Sequence, residues 1–309
     1  MTTTINLGQS GLMASPIALG CMRIHGMQPK EAAAWIEQGL SLGINMFDHA
    51  DIYGNGKSEE VFAKAMQELP GCRAKMILQS KCGIRKEDGG YYDFSKEHIL
   101  RSVDGILSRL KVETLDVLLL HRPDVLMEPE EVAEAFDTLE ASGKVRHFGI
   151  SNQNPMQMEL LSRTVKQKLI INQLQLSITN AGMMDSGINV NTERDGAIDR
   201  DGSVLEYCRL HDITIQAWSS LQYGWFEGPF VGNAKFEALN AVLDRIAKEQ
   251  GVTPTTIAIA WILRHPAKMQ VISGSTSLER TREIAAAAQV TLSRSEWYEL
   301  YRAAGKVLP

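Results

Sequence analysis

The sequence predicts an α/β fold, a (β/α)8 barrel of the TIM type, on three observations. Eight short β-branched or aliphatic runs recur along the chain, helical patterns separate them, and successive runs mostly begin about 24 to 43 residues apart, the length of one strand-plus-helix unit. Strand followed by helix, repeated, means a parallel sheet, and eight such units suit a closed barrel better than an open doubly wound sheet. Residues 1–309 are therefore read as one barrel domain.

Taken in order, Ile5 to Met13, turning through Gly8 to Gly11, reads as a hairpin that plugs the bottom of the barrel. The strands follow at Pro16 to Leu19, Ile44 to Phe47, Met76 to Gln79, Leu115 to Leu120, Arg146 to Ile150, Ile170 to Leu174, Ile213 to Ala217 and Met269 to Ile272. Apolar residues at three- and four-residue spacing predict helices over Pro29 to Leu42, Ser58 to Met66, Ser95 to Leu110, Pro129 to Ala141 and Thr255 to Leu263. Extra helices are expected near Phe236 to Lys248 and Ser293 to Ala304. The stretch from Thr179 to Ser203 is rich in Gly, Asn and Asp and reads as a surface loop or lid on the face where barrel active sites sit.

Composition narrows the possible partners. With 44% hydrophobic and 22% charged residues the chain has the make-up of a globular protein. Its 32 Lys and Arg against 37 Asp and Glu leave a charge of -5, no field for collecting nucleic-acid phosphates or anionic lipid, so neither is an expected partner. The first residues, MTTTINLGQSGLMASPIALG, show no basic segment followed by a long apolar core, and no later apolar run is long enough to span a bilayer; a cytoplasmic location is expected. Cysteines 21, 72, 82 and 208 form no C-x-x-C pair and read as free thiols.

Barrel chemistry comes from the C-terminal ends of the strands. Asp48 follows the second strand in FDHADIYG, Tyr53 lies five residues on, Lys81 ends the third in LQSKCG, and His121 ends the fourth in DVLLLHRP. Neighbouring strands are about 4.8 Å apart, close enough for Asp48 to pair with Lys81. A buried ammonium beside a phenol favours the phenolate and should pull Tyr53 down from its ordinary value, while the carboxylate keeps Lys81 charged. His121 is placed to hydrogen-bond a substrate oxygen. The set suits a carbonyl that gains negative charge as hydride arrives.

FDHADIYG, the lysine ending the third strand, LDVLLLHRPD, GKVRHFGISN and VISGSTSLERTREI together resemble the aldo-keto reductase family, in register over nearly the whole chain. The resemblance implies Tyr53 as general acid, Lys81 and Asp48 as the residues that tune it, and His121 as the residue that orients the carbonyl. It implies NADP(H) as cofactor: Ser151, Asn152 and Gln173 on the nicotinamide carboxamide, Trp218 stacked on its ring, with Ser219 beside it, and Leu221 and the Gly224 to Gly232 stretch folding over the pyrophosphate.

After the eighth strand come Ser273, Gly274, Ser275 and Thr276, and Thr276 with Glu279 fits a capping box opening a helix whose free N–H groups attract phosphate. The family uses an arginine at the Arg280 position for the 2'-phosphate of NADP. Two positions depart from the family pattern: Gly274 replaces a lysine found in some members, and Ile284 stands where an adenine-contacting Asn is frequent, leaving Glu283 to reach the adenine amine. Met22, His25, Tyr53, Tyr223, Trp225 and Phe226 are expected to line the substrate mouth, whose apolar walls suit a small-molecule aldehyde or ketone with a hydrophobic body.

The expected function is NADPH-dependent carbonyl reduction. The alternative is an NADP-binding regulatory subunit, since potassium-channel β subunits resemble the same family and carry Trp at the stacking position. No metal is expected: the histidines offer no ligand spacing, and aligning Gly202 of DGAIDRDG with a calcium-loop glycine puts Ala197 first and Cys208 where a Glu is required. Gly54-Asn55-Gly56 continues as Lys57 and Ser58 without the third glycine of a Rossmann fingerprint.

Overall fold

The computed structural model describes residues 4–309. Eight parallel strands, numbered here as barrel strands, close on themselves: β1 (Ile17–Gly20), β2 (Met46–Asp48), β3 (Ile77–Cys82), β4 (Leu115–Leu120), β5 (Val145–Ser151), β6 (Leu169–Gln175), β7 (Thr214–Trp218) and β8 (Gln270–Ser273). Each pairs with its sequence neighbours, and β8 pairs with β1 to complete the ring. The predicted barrel is therefore present, with strand boundaries moved by at most three residues and those of β4 unchanged. The largest move is in β3, which runs through Lys81 and Cys82 paired with Leu119 and Leu120, beyond the point where its apolar run stops at Gln79. Polar residues stay in this strand because the barrel interior supplies them with partners.

Alternation along the strands sorts side chains into the barrel or out against the helices. The lower interior is apolar, built from Ala18, Met46, Ile77, Val117, Ile171 and neighbours, and Leu7 of the N-terminal segment closes it from beneath. That segment pairs Ile5–Asn6 with Met13–Ala14, as the predicted hairpin requires. Above the apolar layer lies a layer of buried glutamines. Gln79 and Gln173 donate to Gln216 Oε1 at 2.9 Å each, Gln216 donates to Gln270 at 2.7 Å, and Gln270 donates to the Ser15 carbonyl. A half-satisfied amide layer would be costly, so this closed chain of bonds makes a polar floor tolerable inside the barrel.

The outer helices include all those expected, among them Pro29–Ser41, Lys57–Gln67, Lys96–Leu110, Pro129–Ala141 and Pro254–Leu263. The two additional helices are Glu237–Gln250 and Arg294–Ala303. The last docks by stacking Trp297 on Trp261 at 4.6 Å, each indole N–H donating to the other's carbonyl. No residue of the 179–203 stretch is among those lining the cavity at the C-terminal ends of the strands. The stretch carries a short helix, Gly182–Ile188, whose Met183 and Met184 are buried, and Asp185 is tied to the C-terminal region by the Tyr301 hydroxyl and the Lys306 ammonium. Its two methionines gave too short an apolar signal to stand out among the Gly, Asn and Asp. No helix among the described residues is long and apolar enough to cross a membrane, and the four cysteines are buried and unpaired.

The plug depends on Gly8. It sits at φ +55°, its amide donates to Thr214 Oγ1 at 2.8 Å, and a Cβ there would lie 2.5 Å from the Ile170 Cα. Gly8→Ala therefore meets both a left-handed backbone and a backbone clash, and is expected to cost about 2 to 4 kcal/mol. Chemical denaturation checks this; a loss below about 0.5 kcal/mol would show that the plug does not hold the barrel base.

Candidate active site

Asp48 ends β2 and Lys81 lies near the end of β3, both pointing into the mouth of the barrel just above the glutamine layer. Register puts Asp48 opposite Gln79, and alternation brings Lys81, two residues on, to the same interior face; Ser80 between them faces out and donates to Glu59. The Lys81 ammonium lies 2.7 and 2.8 Å from the two Asp48 oxygens and donates to the His49 carbonyl at 2.8 Å. Asp48 also accepts from the amides of Gln79 and Gln173. Burial alone would pull Lys81 down, but Asp48 and then Tyr53 outweigh it and hold the ammonium above its ordinary value.

Tyr53 opens a tight turn, Tyr53–Gly56, in which Gly54, Asn55 and Gly56 all take left-handed backbone angles. A Cβ on Gly56 would strike Arg109 Cδ at 2.7 Å, and Arg109 is itself locked to buried Glu59 at 2.7 Å. This packing aims the phenol at Lys81, whose Nζ is 3.3 Å from the hydroxyl. The expected fall in the Tyr53 pKa does not occur. Burial pushes the phenol up by more than Lys81 lowers it, with Asp48 adding a smaller upward push, so the net direction is above its ordinary value. His121 follows β4 with its ring 6.0 Å from that of Tyr53, edge to face. Burial first, then the charges of Lys81 and Arg122, hold the imidazole well below its ordinary value and keep it neutral.

These groups open into a cavity of about 550 Å³ at the C-terminal ends of the strands. Of the anticipated residues, Asp48, Tyr53, His121, Met22 and Phe226 line it, as do Ser151, Asn152, Gln173, Trp218, Ser219, Leu221, Gly274, Ser275, Thr276 and Arg280. Lys81 lies beneath its floor and acts on it through Asp48 and Tyr53. His25, Tyr223, Trp225 and Glu283 do not line it. His25 Nδ1 is held 2.9 Å from the Met22 carbonyl on the exposed side of its turn. Tyr223 is engaged by Phe236 and, across its ring face, by Lys235. Trp225 is 63% exposed and touches Trp218 only edge-on. Glu283 sits one residue before Ile284, whose buried side chain takes the place on the cavity wall.

A hydrogen-bonded relay joins three strand ends: Trp218 Nε1 donates to Asn152 Oδ1, Asn152 Nδ2 to Ser151 Oγ, and Ser151 Oγ to the Gln173 carbonyl. Asn152 and Ser219, directly after β5 and β7, both take left-handed backbone angles, a strain typical of sites. Trp218 is stacked with Phe226 at 5.8 Å.

At the end of β8 the helix Leu278–Ala286 is capped by Ser277, whose Oγ accepts from the Arg280 amide, in place of the anticipated Thr276–Glu279 box; Thr276 faces the cavity. Arg23, on the turn after β1, donates to the Gly274 carbonyl at 2.8 Å, and a Cβ on residue 274 would approach that guanidinium to 3.0 Å. Arg23 thus brings positive charge to the place that a lysine at 274 would supply. Neither Arg23 nor Arg280 has a carboxylate partner among the described residues. Arg23 and Arg122 are the charged cavity residues that reading strand ends passed over. Arg122 adjoins His121 and was within reach of that reading, whereas the approach of Arg23 to Gly274 spans almost the whole chain.

Comparison with known proteins agrees with this geometry. The family model described as Aldo/keto reductase family matches residues 16–304. A 6-dehydroglucose reductase from Agrobacterium fabrum is 36% identical over 301 residues, covering 94% of each chain, and one from Novosphingobium aromaticivorans is 34% identical over 312 residues, covering 98% of this chain and 96% of that one. Among solved structures, an aldo/keto reductase from Klebsiella pneumoniae in complex with NADP and acetate superposes with a TM-score of 0.78 at 25% identity, covering 100% of this chain and 98% of its own. An eight-stranded barrel with an aspartate, a tyrosine, a lysine and a histidine converging at its mouth is the frame of an oxidoreductase. This chain belongs to the aldo/keto reductase family.

The His49 ring beside the site gives a pH test. It is fully buried, edge-on to Phe62 at 4.5 Å, with neither nitrogen hydrogen-bonded, and burial followed by Lys81 lowers its pKa to about 3. In the unfolded chain it titrates near 6.5, so between those values the unfolded state holds more protons, and stability present above pH 6.5 is lost by about 1.4 kcal/mol per unit as pH falls. Going from pH 7 to 5 should therefore cost the natural protein about 2 kcal/mol more than His49→Leu in denaturant unfolding. Equal losses would show that the buried ring does not set the acid limit.

Proposed function

We propose that this chain is an NADPH-dependent reductase of aldehyde or ketone carbonyls. The observation that carries the reading is the Lys81 ammonium, shared between Asp48 and the Tyr53 hydroxyl at the floor of a cavity that His121 also lines. Bound reduced nicotinamide supplies the hydride. The protein's own part is to hold the carbonyl and deliver the proton. Tyr53, kept protonated by burial, donates to the carbonyl oxygen, and Lys81 lowers the cost of the phenolate left behind. Asp48 keeps Lys81 charged and in place through that exchange. Neutral His121 orients the carbonyl and adds no charge to the pocket.

The same cavity suits the cofactor. Ser151, Asn152 and Gln173 would hold the carboxamide, Trp218 offers an aromatic face, and Ser219 and Leu221 follow on the next loop. Ser275 and Thr276 lead to the capped helix, and Arg23 and Arg280, both without carboxylate partners, would meet the phosphates. That the Klebsiella pneumoniae aldo/keto reductase of the same fold was crystallised in complex with NADP supports NADP(H) as the cofactor.

Tyr53→Phe should lower NADPH-dependent turnover of a small aldehyde by about 10²- to 10⁴-fold while NADPH still quenches tryptophan fluorescence. Full turnover in that variant would refute the acid role. Arg280→Gln should weaken NADPH binding about tenfold or more and leave NADH binding nearly unchanged, measured by fluorescence titration; equal effects on the two would remove Arg280 from the 2'-phosphate.

A further inference from the structure

Three guanidiniums line the cavity, those of Arg23, Arg122 and Arg280, against one carboxylate, Asp48, already taken by Lys81. This excess of positive charge sits in a chain whose net charge is -5. Arg23 and Arg280 gather at the end of β8, where the cofactor phosphates would lie. Arg122 is elsewhere: it follows His121, and Tyr53 lies near enough to act on its charge. Its guanidinium carbon is 5.5 Å from the Trp218 ring and 5.3 Å from the Trp225 ring, over their faces. It is half-buried, and burial pulls it below its ordinary value against the smaller upward pushes of Tyr92 and Tyr53. Among the described residues it has no salt bridge and no hydrogen-bond acceptor.

A guanidinium has five donors in a planar fork and no acceptor. The Arg122 guanidinium carbon lies over both indole rings while its N–H groups meet no acceptor among the described residues, so they are free for another partner. A ligand with two oxygens side by side meets two of these donors at once, and a hydrocarbon meets none. We infer that Arg122 is the specificity-determining residue of the substrate mouth, selecting carbonyl compounds that carry paired oxygen acceptors, a carboxylate or vicinal hydroxyls, over hydrocarbon carbonyls of equal length. This rests on the reductase reading above and departs from the hydrophobic substrate body that the aromatic walls alone suggest. Phe226, on the cavity wall, then packs the carbon chain while Arg122 reads its oxygens.

The test compares matched substrates with NADPH: glyceraldehyde against propanal for the diol, and 4-oxobutanoate against butanal for the carboxylate. In the natural protein at least one oxygenated member should be preferred by about tenfold or more in kcat/KM, chiefly through KM, and Arg122→Met should collapse that ratio about tenfold to a hundredfold. Arg122→Lys should retain part of a carboxylate preference and lose a diol preference, because it keeps the charge without the fork. Ratios are independent of how much variant folds. The same preference is read without turnover by calorimetric binding of the product alcohols, glycerol and 4-hydroxybutanoate against propan-1-ol and butan-1-ol, to the protein saturated with NADP. Preferential binding lost in Arg122→Met supports the inference even if no carbonyl is reduced, a result that would count against the reductase reading instead. Ratios that agree within threefold between the natural protein and Arg122→Met, in binding and in turnover, overturn it.

Discussion

Asp48 and Lys81 face each other where water does not reach, and a buried ion pair of this kind holds only if its remaining hydrogen-bonding capacity is met and neither partner can turn away. The barrel meets both demands. The glutamine layer supplies Gln79 and Gln173 to the carboxylate from below and the side, and the backbone between Asp48 and the Tyr53 turn offers the His49 carbonyl to the ammonium. What is left of the Lys81 coordination is directed at one phenol. The pair adds little net stability, since burying both charges costs about what their attraction returns. Its use is positional: it fixes a positive charge under a hydroxyl at the floor of the cavity.

That arrangement divides the labour among neighbouring groups by environment. Burial keeps Tyr53 protonated, the same burial keeps His121 neutral, and Asp48 followed by Tyr53 reverses its effect on Lys81. One desolvated pocket thus holds a protonated phenol, a neutral imidazole and a permanent cation. Around it the charge is distributed with equal economy. Three cavity-wall cations have no salt bridge among the described residues and lie where ligand oxygens can reach them: Arg23 and Arg280 beside the end of β8, and Arg122 beside two indoles at the mouth.

Much of this was legible in the chain. The spacing of apolar runs is local, so the number and order of strand-plus-helix units follow from it, and chain order then places Asp48, Lys81 and His121 at successive strand ends. The motifs around them carry the family resemblance. Thr276 and Ser277 offer the same hydroxyl chemistry at the start of the last cavity helix, and only backbone geometry gives the cap to Ser277. Loop position puts His25, Tyr223 and Trp225 near the mouth, but side-chain direction in loops is set by packing partners, as Phe236 and Lys235 do for Tyr223.

The amino-acid sequence alone determined the barrel, its hairpin plug and the identity of the four residues at its mouth, because periodicity and residue chemistry are local properties. The tertiary structure decided what depends on distant segments meeting. Gln79 and Gln216, separated by 137 positions, close a polar layer that no local pattern announces. Arg23 finds Gly274 across 251 positions. The proton affinity of Tyr53 was settled by the same means, since the desolvation that outweighs the adjacent ammonium is a sum over everything packed around the phenol, and that sum exists only once the chain has folded.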